Sequence, residues 1–96
     1  MDDLQRARIV ASKARFRAMN ERIRSQVDGF DGAVDTYSLM CECALVNCQD
    51  MLELSRGDYD RVRSVISWFV VLPDHMIPPA EKVVEQNERF WIIEGA

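Results

Sequence analysis

The chain has 96 residues, enough for one small domain, and 48% of them are hydrophobic, which excludes a mostly disordered chain. A core this small benefits from a staple, such as a metal, a disulfide or a partner chain. No stretch approaches the length of a membrane span and no apolar signal core follows the N-terminus, so we expect a cytoplasmic protein. Because cytoplasmic thiols stay reduced, the three cysteines are expected to be packing residues, reactive thiols or metal ligands.

The net charge of −4 is unevenly distributed along the chain. Residues 1–27 carry seven basic and three acidic side chains, a net charge of +4. The remaining residues carry five basic and thirteen acidic side chains, a net charge of −8. This pattern predicts a basic N-terminal segment attached to an acidic body.

Residues 3–27 contain no glycine or proline and favour a helix that ends at Gly29. Successive offsets of seven, three, four and four place one apolar stripe on this helix, consisting of Ile9, Phe16, Met19, Ile23 and Val27. We expect an amphipathic basic helix over residues 1–28, a linker over 29–35 and a body over 36–96.

The helix allows three interpretations. Its stripe could pack on the body of the same chain, which is the commonest use of such a stripe. It could instead bind a partner protein or a second copy of the chain. In that case the contact residues would be Ile9, Phe16, Met19 and Ile23, with Arg15 and Arg22. A third interpretation is that the arginine-rich face binds nucleic acid, although the acidic body would repel phosphate.

The body is predicted to be α+β. Strands are expected at 37–41 and 51–54, and a short helix at 57–66 with Ser55 as its N-cap. The continuous apolar run 68–72 predicts a central strand buried on both faces, and 82–85 and 90–94 predict a terminal hairpin. The expected architecture is a long N-terminal helix plus a small, mostly antiparallel sheet of about four strands, with one short helix and a zinc staple.

The residues that carry recognisable chemistry are Cys41, Cys43, Cys48 and the single histidine, His75. Zinc favours four tetrahedral ligands, and three cysteines with one histidine are a common structural set. In an extended segment residues 41 and 43 point to the same side, so both thiolates could face one ion. The spacing alone is equally compatible with three packed cysteines and a surface histidine.

The chain resembles a family of small, functionally uncharacterised bacterial proteins that share an N-terminal helix, a C-E-C-x4-C motif and a later histidine. The residues that carry the resemblance are the segments 16–23, 41–48, 58–63, 69–71 and 81–85, together with His75. The resemblance implies a zinc site formed by Cys41, Cys43, Cys48 and His75. This chain has Asp74 where the family has glycine before the histidine.

The expected function is that of a non-enzymatic regulatory or adaptor module that acts through protein–protein contacts of its helix. A four-ligand zinc shell leaves no open position for a substrate, and the sequence has no Ser-His-Asp set and no glycine-rich phosphate loop. A nucleic-acid-associated regulator is the alternative. An enzyme, with three zinc ligands and Glu42 as a general base, is the third choice.

Overall fold

The computed structural model describes residues 2–29, 35–45, 47–77 and 81–95, which form an α+β fold. The elements in chain order are α1 (Asp3–Asp28), β1 (Thr36–Met40), β2 (Met51–Ser55), α2 (Arg56–Arg63), β3 (Trp68–Val71), β4 (Glu81–Gln86) and β5 (Trp91–Gly95). Neither of the two helices in these ranges combines the length and the apolar character needed to cross a membrane. Residues 30–34, most of the expected linker, lie outside the described residues.

The strands form two antiparallel sheets rather than one. Strands β1 and β2 pair with each other, and their buried residues alternate with exposed ones along both strands. The second sheet has the order β3-β5-β4, so the C-terminal hairpin is present as expected. The prediction that the run 68–72 is a central strand was wrong, because β3 lies at the edge of its sheet and β5 occupies the centre.

The segment that follows β1 covers the open edge of β3. The Glu42 backbone N–H donates to the Val70 carbonyl at 2.9 Å, and the Glu42 carboxylate accepts from the Val70 N–H at 3.0 Å. These bonds satisfy backbone groups that an uncovered edge strand would leave open. They explain why the edge strand β3 is as apolar as a central one, with Phe69, Val70 and Val71 all buried.

The hydrophobic core lies between the two sheets and α2. It contains Tyr37, Leu39, Leu52 and Leu54 from the first sheet, Tyr59 and Val62 from α2, and Phe69, Val70, Val71, Ile92 and Ile93 from the second sheet. Cys41 and Cys43 belong to the same cluster. The candidate metal ligands are therefore continuous with the core.

Helix α1 begins with a capping box. The Asp2 carboxylate accepts from the Gln5 N–H at 2.8 Å, and the Gln5 side chain accepts from the Asp2 N–H. This arrangement satisfies two of the N–H groups that a helix start leaves unpaired.

The most deeply buried residues of α1 are polar rather than apolar. Lys13 is 1% exposed and its Nζ lies 2.8 Å from the buried Glu81 carboxylate in β4. Asn20 is completely buried, and Val27, seven residues further on, packs against the core. Seven residues are close to two helical turns, so Lys13, Asn20 and Val27 form the side of α1 that faces the body.

Candidate metal centre and the adjacent groove

The four candidate ligands converge in space although His75 lies 27 residues after Cys48. Their ligand atoms, the three Sγ atoms and a His75 ring nitrogen, all lie within 4.8 Å of one another. The His75 Nδ1 is 3.5 Å from the Sγ of both Cys41 and Cys48. A tetrahedral zinc with ordinary bond lengths would separate sulfur and nitrogen ligands by about 3.6 Å. The cluster could therefore hold a metal ion, to judge from its donor atoms and their proximity.

Two tight turns present the last two candidate ligands, Cys48 and His75. In one, the Cys48 N–H donates to the Leu45 carbonyl, and in the other the His75 N–H donates to the Leu72 carbonyl. The residue before each ligand has a positive φ, 67° at Asn47 and 69° at Asp74. These are the only non-glycine residues with positive φ among those the structure describes.

Backbone N–H groups and neighbouring thiols set the charge of the cysteines. The Leu72 N–H donates to the Cys41 Sγ at 3.2 Å, and the Leu45 N–H to the Cys43 thiol. The hydrogen bond between the two thiols, with burial, raises the pKa of Cys41, and the same bond lowers the pKa of Cys43 to about 5. Burial raises the pKa of Cys48. One thiol of the cluster thus ionises readily, whereas the other two favour the protonated form. A bound metal cation would stabilise all three thiolates, because metal binding displaces the thiol protons.

The donor set is suited to a soft or borderline metal. Thiolates and imidazole are preferred by zinc and similar ions, whereas calcium and magnesium require oxygen ligands. Cys41 and Cys43 are buried, and Cys48 and His75 are half-buried. The ion would therefore lie at the edge of the core, with its outer side towards Cys48 and His75.

Glu42, between the first two ligands, is completely buried and has a structural role. Its carboxylate accepts hydrogen bonds from the Asn20 side chain at 2.8 Å and the Val70 N–H, and it forms an ion pair with Arg63. Burial raises its pKa, while Arg63 and these hydrogen bonds act in the opposite direction. Because α1, α2 and β3 all hold this carboxylate, it links elements and is not free to act as a base.

The six expected partner-binding residues of α1 fall into three environments. Ile23 is half-buried and packs against the core, so it belongs to the body of its own chain. Arg15, Met19 and Arg22 are exposed. Ile9 and Phe16 are half-buried and line a surface groove.

This groove separates the N-terminal half of α1 from the metal-binding segment and has a volume of about 790 Å³. Its first wall includes Arg8, Ile9, Arg15 and Phe16. Its second wall, which we call the metal wall, consists of Ala44, Leu45, Asn47, Cys48, Gln49 and Ile77. A candidate metal ligand, Cys48, thus forms part of the groove surface.

An arginine row runs along α1 beside the groove and consists of Arg8, Arg15 and Arg22. These residues are exposed and seven apart, which places them on one side of the helix at intervals of about 10.5 Å. None of the three forms an ion pair with a residue in the described part of the chain. By contrast Arg24, near the helix end, pairs with Asp28 and Asp60.

Sequence reasoning missed the polar contacts that fix α1 to the body. The Asn20 side chain donates to the Met40 carbonyl and accepts from the Met40 N–H, both at 2.8 Å. Gly95 leaves space for Lys13, since a Cβ there would lie only 1.9 Å from the Lys13 Nζ. The seven-residue spacing of Lys13, Asn20 and Val27 was the available signal, but polar residues are not normally taken as a buried face.

No protein-family model, no curated protein and no solved structure matches this chain.

Proposed function

We propose that this protein is a small zinc-stapled, non-enzymatic regulatory or adaptor module of the cytoplasm that binds another protein through the N-terminal half of α1. The observation that carries the proposal is the difference between the two halves of α1. The C-terminal half is held by Asn20, Ile23 and Val27 against the body. The N-terminal half contacts the body through Lys13, but it also borders an open groove and carries Arg8 and Arg15, which form no ion pair with a described residue.

The exposure of α1 supports this proposal, since residues 3–8 at its N-terminal end are all exposed. Leu4 and Val10, exposed by 62% and 38%, lie in the half that remains accessible. Exposed apolar side chains of this kind are typical of protein-binding surfaces.

The choice of zinc rests on the donor set. Cysteine thiolates and histidine suit zinc, and a closed four-ligand shell is typical of structural rather than catalytic zinc. Metal analysis of protein purified without added metal should give about one zinc per chain. Zinc absent from the wild type, or retained in full by Cys48→Ser, would contradict this part of the proposal.

Photo-crosslinking in the native cell tests the interaction. A benzoylphenylalanine placed at Phe16 should crosslink one protein reproducibly, while the same group at Glu53, exposed on β2, should not. The purified partner should then bind the wild-type chain and lose affinity for the folded Arg15→Glu variant. If Phe16 and Glu53 give the same crosslinks, α1 is not the binding surface and the proposal fails.

A second candidate function is nucleic-acid binding, which the arginine row favours. Three positive charges at regular intervals could contact phosphates, and such binding would weaken steeply with salt. Binding of duplex DNA or RNA that is lost in a variant with Arg8, Arg15 and Arg22 changed to glutamine would favour this function. The net charge of −8 over residues 28–96 argues against it, because acidic groups repel phosphate.

A further inference from the structure

We propose that the groove beside α1 binds an acidic amphipathic helix of the partner, and that the bound metal holds the metal wall of this groove in place. This inference rests on the proposed protein-binding function of α1 and adds to it the class of partner and a metal requirement.

The metal requirement follows from how the metal wall is built. Five of its six residues, 44, 45, 47, 48 and 49, lie within the short segment between Cys43 and Asp50, and the sixth, Ile77, is two residues beyond His75. None of the six belongs to a helix or strand. Their positions depend on two turns with positive φ and on the ligands at the ends of those turns. An ion that joins Cys43, Cys48 and His75 would therefore fix the whole wall.

The chemistry of the lining indicates what the groove accepts. Ile9, Phe16, Leu45 and Ile77 offer apolar surface on both walls. Apart from the candidate ligand Cys48, the only charged side chains among the described lining residues are Arg8 and Arg15. A molecule that binds in the groove must therefore supply apolar groups to these side chains and negative charges to Arg8 and Arg15.

The shape of the groove favours a helix as the occupant. Its α1 wall runs from Gln5 to Phe16, about 17 Å, which matches roughly three turns of a partner helix. Acidic residues at seven-residue spacing on that helix would meet Arg8 and Arg15, and Arg22 beyond the groove. The α1 helix of a second copy fits poorly, since residues 1–27 carry a net charge of +4 and would repel each other.

A designed peptide serves as the probe for this groove. It is a 15-residue amphipathic helix with leucine and isoleucine on one face and glutamates on its flanks, and the control is the same peptide with lysines in place of the glutamates. Binding is followed through the Ile9 and Ile77 methyl resonances, with Ile66 outside the groove as reference. We expect the acidic peptide to shift Ile9 and Ile77 and to bind at least about ten-fold tighter than the basic one.

Three variants separate the contributions to binding. Arg15→Glu should weaken the acidic peptide about five-fold, while Arg89→Glu, at the β4–β5 turn, should leave its affinity unchanged. Leu45→Asp alters the metal wall without removing a ligand, and it should weaken the peptide ten-fold or more. Cys48→Ser removes the outermost ligand and should have a similar effect while the core Ile93 resonance stays in place.

The outcomes distinguish the two proposals. If the metal-loaded chain binds both peptides equally or neither, the acidic helix is the wrong occupant. If Leu45→Asp binds the acidic peptide as tightly as the wild type, the metal wall plays no part, whatever the stability of Cys48→Ser. If folded Cys48→Ser also binds normally, the metal requirement is wrong. In each of these three cases, a protein that crosslinks at Phe16 would still support the proposed function of α1.

Discussion

Asn47 and Asp74 show how single backbone conformations position the metal ligands. Each has a left-handed φ and immediately precedes a ligand, Cys48 or His75. Asparagine and aspartate tolerate this conformation better than other non-glycine residues, because their short polar side chains form local hydrogen bonds. The observed φ of 69° at Asp74 is also one that glycine adopts without strain.

Replacing Asp74 with valine should therefore destabilise the fold and weaken the metal site. A β-branched residue in the left-handed conformation costs about 1–2 kcal/mol, so the free energy of unfolding should fall by roughly that amount. The matched control is Asp74→Gly, which should be as stable as the wild type. Urea unfolding and metal competition with a chromophoric chelator measure both effects. Equal stability of the valine and glycine variants would show that the turn is not strained.

Asp28, at the last turn of α1, makes stability depend on pH. Its carboxylate accepts from the Tyr37 hydroxyl at 2.8 Å and pairs with Arg24 and Arg56. The Tyr37 hydrogen bond, followed by the arginines, lowers the pKa of Asp28 below its ordinary value of 3.8, against a smaller effect of burial. The folded state thus binds this proton more weakly than the unfolded state does. The stabilisation is complete above the unfolded pKa and is lost as the pH falls through the folded pKa.

Asp28→Asn should reduce the loss of stability below about pH 4, relative to the wild type. The wild type and the variant are compared by urea unfolding between pH 3 and pH 7. Acid also protonates metal ligands in both proteins, so only the difference between the two curves reports on Asp28. Parallel curves over the whole range would contradict the assignment.

At the scale of elements, α1 is fixed to the body by polar side chains. The Asn20 side chain forms hydrogen bonds with the N–H and the carbonyl of Met40 and with the Glu42 carboxylate. Lys13 forms an ion pair with Glu81. A buried polar group lowers the free energy of unfolding when it has no partner. When it is paired, it favours one particular arrangement of the elements that it joins. These contacts fix the rotation and register of α1, which determines which of its sides borders the groove.

Asn20→Ala should lower the free energy of unfolding by about 1–3 kcal/mol, because it leaves the Met40 backbone and Glu42 with fewer partners in a buried site. Ser25→Ala, an exposed position on the same helix, is the control and should change stability by less than about 0.5 kcal/mol. Thermal unfolding of the metal-loaded proteins gives the comparison. Similar values for the two variants would show that Asn20 does not anchor α1.

At the scale of the whole molecule, the two small sheets are hydrogen-bonded to each other through the segment that follows β1. This segment, residues 41–43, pairs with β3 through Glu42 and supplies two candidate metal ligands, while His75 follows β3 itself. The metal would thus connect the end of β1 to the loop after β3, across the junction between the sheets. A chain of 96 residues buries only a small core, so a metal that connects these segments would matter to its free energy of unfolding.

Removing the metal should destabilise the whole domain. With free zinc at about a thousand times its Kd, the ion contributes about 4 kcal/mol, so chelation should lower the Tm by more than roughly 10 °C. Cys48→Ser should have a reduced Tm that responds less to chelator, whereas Ser38→Ala, exposed on β1, should behave as the wild type. An unchanged wild-type Tm in chelator would contradict a structural metal.

The elements were predictable because their signals are local. The capped helix α2, the alternating strands and the terminal hairpin follow from periodicity and from turn and cap residues. The four candidate ligands could be named from the sequence because few residue types bind a soft metal, but their spacing alone was equally compatible with packed cysteines. The position of β3 was mispredicted because its open edge is covered by Glu42, a contact 28 residues away that no local pattern reveals.

The sequence by itself thus determined the elements of this protein and its four candidate ligands, because both depend on neighbouring residues and on side-chain chemistry. Only the tertiary structure decided which side of α1 is buried. Hydrophobic periodicity favoured the whole stripe from Ile9 to Val27, of which Ile23 and Val27 pack against the core. The most deeply buried residues of α1 are instead Lys13 and Asn20, whose partners Glu81 and Glu42 lie far along the chain. That rotation leaves Ile9 and Phe16 facing the groove, for which we propose a partner.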